Sequence, residues 1–269
     1  MDNPLNIPPL CGPHARYKSR NLQSQAAHQD ALKDMPGGNT RSSIFSTPFP
    51  LTIASGKDGT VTSLEYSTRL LDHFNARIAN AVSVAMACGS TFGGISVHKS
   101  AFAAGVCQRF GEAGVEMVRF ANSGTEANMV AIATALAFVN GRDSGDGMSH
   151  RKNKSKILVF SNAYHGRVVT GGTTGPAATN LPHNFVVAPF NNVEETSAIV
   201  SALDPPRGNG YSRSSKGGLA AIIFEPMQGA GGCGAASKEF ACCLRQLADE
   251  HSSLFIVDEV MTSRLGPAG

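Results

Sequence analysis

Phe120-Ala121-Asn122-Ser123-Gly124-Thr125-Glu126-Ala127-Asn128 joins a short apolar run to an alanine-rich helical pattern. Ser123 and Glu126 have the spacing of a capping box, which predicts a helix that begins at Ser123. The start of a helix leaves backbone N–H groups unpaired and carries a partial positive charge. Because Gly124 allows a close approach, this turn is a candidate phosphate site. An ordinary capped helix would explain the same residues.

Three short β-branched runs follow this helix, at residues 157–160, 219–224 and 254–257. They are apolar throughout rather than alternating, as expected of parallel strands that are buried on both faces. A helix capped by Ser237 lies between the last two runs. Strand–helix–strand alternation predicts an α/β fold with a doubly wound, mostly parallel sheet.

Each of the three predicted strands ends in polar residues: Tyr164 and His165 after the first, Glu225 after the second and Asp258 after the third. In such sheets the ligand lies outside the carboxyl ends of the strands. Tyr164 or His165 could stack on an aromatic ring, and Asp258 could pair with a protonated pyridine nitrogen. Taken one at a time, Asp258 could instead cap a turn and Glu225 could simply end a strand.

Composition excludes several classes of protein. The chain has 269 residues, 42% of them hydrophobic and 16% charged, and a net charge of +3 without a block of like charge, so we expect no nucleic-acid partner. No apolar run approaches the length of about 18 residues that spans a bilayer, so we expect no membrane segment. The six cysteines lack the spacing of metal ligands. We expect them to be reduced, no metal to be bound, and the protein to be cytoplasmic.

Four motifs together resemble class III pyridoxal-phosphate-dependent aminotransferases: Ser123-Gly124-Thr125-Glu126-Ala127, Tyr164-His165-Gly166, Glu225-Pro226 and Asp258-Glu259-Val260-Met261-Thr262. Within that class the chain resembles glutamate-1-semialdehyde 2,1-aminomutase and its aminotransferase-like relatives. The resemblance implies a type I pyridoxal-phosphate-dependent transferase fold and pyridoxal 5′-phosphate as cofactor. It also implies a small-molecule amino donor and acceptor, and a homodimer for the full-length protein.

The resemblance also implies roles for individual residues. Ser123-Gly124-Thr125 would bind the cofactor phosphate, chiefly through Gly124 and Thr125. Tyr164 would stack on the pyridine ring, and Val260 would pack against the opposite face of the ring. Asp258 would hold the ring nitrogen.

Two further residues gain a role from the same resemblance. Glu225 would support the site from the neighbouring strand end. The segment 36–41, Pro-Gly-Gly-Asn-Thr-Arg, resembles the N-terminal active-site segment of the family. In relatives that act on β-amino acids an arginine there binds the substrate carboxylate, and Arg41 is the candidate here because a guanidinium group matches a carboxylate. A solvated surface arginine is the alternative.

The chain departs from the family pattern in one catalytic feature. The Schiff-base lysine of the family is expected roughly 25–30 residues beyond Asp258, and hence beyond Gly269. Three lysines of this chain do not match the sequence context of the family's lysine. Lys156 precedes a predicted strand, Lys216 lies in a glycine-rich turn, and Lys238 lies at a helix start. We therefore expect a fold that is incomplete at its C-terminus, and we assign no catalytic residue. The stretch between residues 63 and 75 is also about ten residues shorter than the family pattern, as judged against ordinary strand length.

Three functional hypotheses remain open. The first is an aminotransferase acting on an amino acid or amino-keto substrate, and the second is an aminomutase of the glutamate-1-semialdehyde type. The third is a truncated, inactive fragment. A dinucleotide-binding protein is disfavoured because no Gly-x-Gly-x-x-Gly follows a predicted strand.

The predicted organisation has three parts. Residues 1–50 form an N-terminal arm and segment, with a short helix at 21–34 that Pro36-Gly37-Gly38 ends. Residues 51–95 form the N-terminal part of a small domain and its link to the large domain. Residues 96–269 form part of the large, cofactor-binding domain.

Overall fold

A computed structural model describes residues 11–39, 46–54, 71, 73–141, 154–166, 182–203 and 218–266. The helices are α1 (Cys11–Arg20), α2 (Leu22–Asp34), α3 (Ala76–Ala87), α4 (Val97–Phe110), α5 (Gly124–Gly141), α6 (Val193–Leu203) and α7 (Lys238–Glu250). The strands are β1 (Lys154–Phe160), β2 (Asn184–Ala188), β3 (Gly218–Phe224), β4 (Met227–Gln228), β5 (Gly234–Ala235) and β6 (Leu254–Val257). The chain divides into two compact units, Met1–Gly89 and Ser90–Gly269.

The first unit contains the predicted helix at 21–34, which is confirmed as α2. The predicted N-terminal arm also contains the helix α1 at Cys11–Arg20, which the sequence analysis did not predict. Pro13 lies in the first turn of α1, where a missing N–H costs no helical hydrogen bond. Side chains of α1 are mostly exposed, although the Tyr17 hydroxyl donates to the Phe49 carbonyl at 3.0 Å.

Pro36-Gly37-Gly38 ends α2 as predicted, and forms a short 3-10 turn. Gly37 and Gly38 both have positive φ, at 70° and 66°. A Cβ atom on Gly38 would lie 2.7 Å from the ring of His28, which is buried. Glycine at position 38 therefore satisfies both the backbone conformation and the close packing of this turn.

The second unit contains one sheet of four parallel strands in the order β2-β1-β3-β6. Its strands β1, β3 and β6 confirm the three predicted runs, and the sheet confirms the predicted α/β class. The prediction missed β2 and the following helix α6. Residues 184–188 form a short, only partly buried edge strand, which gives a weak signal in the sequence.

Side chains of β1 alternate between two hydrophobic clusters, one on each face of the sheet. Leu158 and Phe160 pack with residues of α6 and α7 on one face, whereas Ile157 and Val159 pack with Ile132 of α5 on the other. Helices thus cover both faces, which is why the strands are apolar throughout.

Helix α7 begins where the sequence predicts. The Ser237 hydroxyl accepts the N–H of Phe240 at 3.0 Å. Four apolar residues of α7 are buried: Phe240, Leu244, Leu247 and Ala248. Spacing of three and four residues places them on one face of the helix, against β3 and β6.

Ser237→Ala is expected to lower the free energy of unfolding by about 1 kcal/mol, because it removes the acceptor that caps α7. Ser201→Ala is the matched control, since Ser201 lies exposed in the last turn of α6. That control is expected to change stability by less than about 0.5 kcal/mol. Urea unfolding of both variants measures the difference, and equal stabilities would contradict the assigned cap.

Helices α3 and α4 are rich in apolar residues, but neither contains a buried residue. Ile78 and Val82 of α3, in the first unit, and Phe102 of α4, in the second, are all about half exposed or more. Among the helices that the structure describes, none is both long enough and apolar enough to cross a bilayer.

Candidate active site

The first turn of α5 forms one side of the candidate site. The Ser123 hydroxyl accepts the N–H of Glu126 at 3.2 Å, and the Glu126 carboxylate accepts the N–H of Asn122 at 2.7 Å. These reciprocal bonds confirm the predicted start of the helix. The partially positive N-terminus of α5 therefore lies at Gly124 and Thr125.

The loop after β1 packs directly on this turn. Gly166 has a φ of 71°, and a Cβ atom placed on it would overlap the Thr125 hydroxyl and lie 2.9 Å from the Cα of Thr125. Two residues earlier, Tyr164 is 44% exposed, whereas the intervening His165 is completely buried. Tyr164 is therefore the accessible ring at this strand end, and His165 is not available for stacking on a ligand.

Glu225, at the end of β3, is buried and supports the same loop. Its Oε2 accepts the backbone N–H of Tyr164 at 3.0 Å. Burial raises the pKa of the Glu225 carboxyl above its usual value, and the charge of Asp258 adds to this effect. The hydrogen bonds from the N–H groups of Tyr164 and Gly229, together with His165, act against it.

Asp258, at the end of β6, has a side chain that is only 7% exposed and accepts three hydrogen bonds. Its Oδ2 accepts from Nδ2 of Asn128 at 3.0 Å and pairs with Nδ1 of His165 at 2.8 Å. Its Oδ1 accepts the N–H of Val260 at 3.2 Å. A carboxylate can only accept, so the proton lies on Nδ1 of His165. Within the described part of the chain, the buried Nε2 of that ring has no hydrogen-bond partner.

These contacts decide the charge on Asp258. Burial by itself would raise the pKa of the Asp258 carboxyl. The hydrogen bond and charge of His165, followed by the hydrogen bonds from Asn128 and Val260, outweigh burial and hold that pKa below its usual value. Asp258 is therefore an ionised acceptor at neutral pH.

Val260 lies next to the first turn of α5. A Cβ atom on Gly124 would lie 3.7 Å from Cγ2 of Val260, which is ordinary van der Waals contact. Six of the predicted cofactor-binding residues contact one another directly or through one intervening residue: Gly124, Thr125, Tyr164, Glu225, Asp258 and Val260. The seventh, Ser123, caps α5. Arg41 lies outside the described residues, as does most of the stretch from 63 to 75.

Two of the lysines considered from the sequence are described, and both lie elsewhere. The Nζ of Lys156, in the first half of β1, donates to the Leu203 carbonyl at 3.5 Å. Lys238 is the first residue of α7. Neither lies at the carboxyl end of a strand, where the site residues converge, and Lys216 lies outside the described residues.

Comparison with known proteins identifies the family. The profile of the class-III aminotransferase family matches residues 64–269. The chain belongs to this family. Class-III aminotransferases use pyridoxal phosphate, so the predicted family, fold and cofactor are confirmed.

Three relatives show how close the similarity is. The β-phenylalanine transaminase of Variovorax paradoxus is 34% identical over 97% of this chain and 56% of its own length. A glutamate-1-semialdehyde 2,1-aminomutase of Methanococcus maripaludis is 31% identical over 92% of this chain and 57% of its own. A transaminase solved with pyridoxal phosphate bound is 27% identical, with a TM-score of 0.73 over 93% of this chain and 57% of that one.

The solved structure of the V. paradoxus aminotransferase superposes with a TM-score of 0.80, covering 95% of this chain and 55% of that one. The chain thus spans about half the length of the curated relatives it matches. This similarity establishes the aminotransferase fold of the described residues.

The site residues fit the cofactor of the family. The start of α5 can hold an anion through its amides, Tyr164 presents an accessible ring, and Asp258 is an ionised acceptor held in place by fixed donors. The buried Nε2 of His165, which has no hydrogen-bond partner among the residues described, lies within the same cluster.

Sequence reasoning missed Asn128 as a site residue and assigned His165 only a possible stacking role. Both donate to Asp258. Asn128 is a polar residue three positions after Thr125, on the buried face of α5 with Ile132. A polar residue on the apolar face of a predicted helix could have identified Asn128, because a buried amide requires a hydrogen-bond partner.

Glu225→Gln is expected to change how stability depends on pH. Because folding raises the pKa of Glu225, its carboxyl favours the folded state below the ordinary value of 4.5, and this contribution is lost as pH rises through the folded-state pKa. The wild type should therefore lose stability relative to Glu225→Gln as pH rises from the ordinary value of 4.5 through the folded-state pKa. Urea unfolding at a series of pH values measures the free energy of unfolding of both proteins. A difference between them that does not change with pH would contradict the raised pKa. Glu250→Gln, at the exposed end of α7, is the control.

Proposed function

We propose that this protein is a pyridoxal-phosphate-dependent aminotransferase that moves an amino group to or from an amino acid or amino-keto substrate. One observation carries the proposal. The first turn of α5, the accessible ring of Tyr164 and the ionised carboxylate of Asp258 meet at the same edge of the sheet. Family membership and the transaminase among its relatives support the reaction class.

Each residue has a defined task in this proposal. Ser123-Gly124-Thr125 holds the phosphate through helix amides and hydroxyl groups. Tyr164 and Val260 enclose the two faces of the ring. Asp258 accepts a charge-assisted hydrogen bond from the ring nitrogen and keeps that nitrogen protonated. Bound pyridoxal phosphate supplies an electron sink for chemistry next to the substrate amino group.

Glu225 has a supporting task, because its carboxylate fixes the backbone of Tyr164. Arg41 is proposed to bind the substrate carboxylate as a bidentate partner. The proposal extends to a homodimer, to a cytoplasmic location, and to the division into segments 1–50, 51–95 and 96–269.

Binding of the cofactor is the direct test. Pyridoxal phosphate titrated into the purified chain is expected to give a saturable change in its absorbance spectrum. Thr125→Val, which removes a hydroxyl at the start of α5, is expected to weaken binding about tenfold. Thr134→Val, one residue before the buried Ala135 of the same helix, is the matched control. A wild-type chain that gives no saturable change would overturn the proposal.

The aminomutase alternative is kept because the M. maripaludis relative carries that name. Protein expressed from the whole reading frame would be offered β-phenylalanine with a keto acid acceptor, and separately glutamate 1-semialdehyde alone. Amino transfer between two molecules supports the aminotransferase. Isomerisation of the semialdehyde without an acceptor supports the aminomutase.

A further inference from the structure

Asn128 connects the two ends of the candidate cofactor site. It lies on α5, one turn beyond Thr125, and is only 8% exposed. Its Nδ2 donates to Oδ2 of Asp258 at 3.0 Å, across a separation of 130 residues in the sequence. Because an ionised carboxylate can only accept, the amide of Asn128 must present its NH2 group to Asp258.

The two oxygens of Asp258 are not equivalent. Oδ2 receives two side-chain donors, from Asn128 and from His165. From the part of the chain that the structure describes, Oδ1 receives one backbone donor, the N–H of Val260 at 3.2 Å. A carboxylate oxygen accepts about two hydrogen bonds, so Oδ2 is saturated whereas Oδ1 retains capacity for one more.

We propose that Asn128 is a positioning residue which, together with His165, saturates Oδ2 of Asp258 and so reserves Oδ1 for the protonated ring nitrogen of the cofactor. The inference rests on the proposed function and assigns a task to a residue outside the motifs. Since Asn128 and the phosphate-binding turn belong to the same rigid helix, this hydrogen bond also fixes the spacing between the phosphate site and the ring-nitrogen acceptor.

An asparagine suits this task because its amide is uncharged and donates at every pH. Glu225 interacts with Asp258 through charge, and burial raises the pKa of the Glu225 carboxyl. A permanently neutral donor holds the Asp258 carboxylate in one orientation while Glu225 changes its protonation state.

The first arm of the test uses apoprotein and does not depend on the cofactor. Protein labelled with ¹³C at aspartate carboxyl carbons is titrated by NMR, and the Asp258 resonance is identified by its loss in Asp258→Asn. Asn128→Leu removes the donor at similar volume. It is expected to raise the pKa of Asp258 by about one unit, since hydrogen bonds to charged groups have that strength.

Asn140→Leu is the matched control on the same helix. Asn140 donates to the carbonyls of Leu136 and Lys154 and accepts the N–H of Lys154, so its loss destabilises the fold without touching the site. The control is expected to leave the pKa of Asp258 unchanged. An Asn128→Leu titration that matches wild type, or an equal shift in Asn140→Leu, would overturn the positioning role.

The second arm uses pyridoxal phosphate labelled with ¹⁵N in its ring. In wild type and Asn140→Leu the ring resonance is expected to be that of a protonated nitrogen at about pH 8, whereas Asn128→Leu shifts it towards the unprotonated value and weakens binding about tenfold. A pKa shift in apoprotein without a shift of the ring resonance would overturn the reserved-oxygen assignment. Failure of wild type to bind the cofactor would overturn the proposed function, while the apoprotein arm still decides whether Asn128 governs Asp258.

Discussion

Gly166→Ala is expected to disrupt the turn at Gly124 and Thr125, the proposed phosphate site, and to lower the free energy of unfolding by about 3 kcal/mol or more. Two costs add. The φ of 71° disfavours any residue with a Cβ atom, and that atom would lie 2.9 Å from the backbone Cα of Thr125. Because the second contact involves backbone, no side-chain rotation can relieve it. The start of α5 must move away from the loop that carries Tyr164.

A matched glycine separates these two costs. Gly114 has a φ of 86°, and a Cβ atom on it would have no described heavy atom within 4 Å. Gly114→Ala therefore carries the backbone strain alone, with an expected loss of about 1–2 kcal/mol. Urea unfolding and pyridoxal phosphate titration of both variants test the difference. Equal losses, or normal cofactor affinity in Gly166→Ala, would contradict the close packing of the loop on Thr125.

Asp258→Asn is expected to have the second large effect, a loss of about 1–3 kcal/mol in stability at neutral pH. If the proposed function holds, the same substitution in protein expressed from the whole reading frame should reduce amino transfer by at least about 100-fold. The substitution preserves the shape of the side chain but removes its charge. His165 and Asn128 would then direct their N–H groups at a neutral amide, and the ring nitrogen of the cofactor would lose its ionised acceptor.

The stability loss in Asp258→Asn should depend on pH in a defined direction. Folding lowers the pKa of Asp258, so its charge stabilises the protein above the ordinary value of 3.8, and this contribution is lost as pH falls through the folded-state pKa. The difference between wild type and variant should therefore shrink below about pH 4. Asp249→Asn is the control, because Asp249 is exposed and paired with Arg245 on the surface of α7. That pair should contribute less than about 1 kcal/mol, and an equal loss in both variants would contradict the special environment of Asp258.

Local features of the fold were predictable because they depend on residues close together in the sequence. The hydroxyls of Ser123 and Ser237 cap helices through bonds to N–H groups three residues away, and a pattern of sequence letters contains that information. The strands at β1, β3 and β6 were predictable because burial on both faces leaves unbroken apolar runs. The edge strand β2 was missed because it is short and only partly buried.

The site was predictable in part. The position of polar residues after three strands indicated a common edge, and the family motifs supplied their roles. The sequence did not show that His165 would be buried under Asp258 rather than stacked on a ligand, nor that Asn128 would donate to the same carboxylate oxygen. His165 precedes Asp258 by 93 positions and Asn128 precedes it by 130. Local sequence patterns do not predict contacts between residues so far apart in the chain.

Amino-acid order alone established the class of fold, the helix start at Ser123 and the set of polar strand ends, since each follows from hydrogen bonding and burial over a few neighbouring residues. Packing of α5 against the sheet established which groups surround Asp258, which of its oxygens remains available, and why Gly166 cannot carry a side chain. The physical reason is that the environment of a buried carboxylate is created by elements that meet only when the core is assembled.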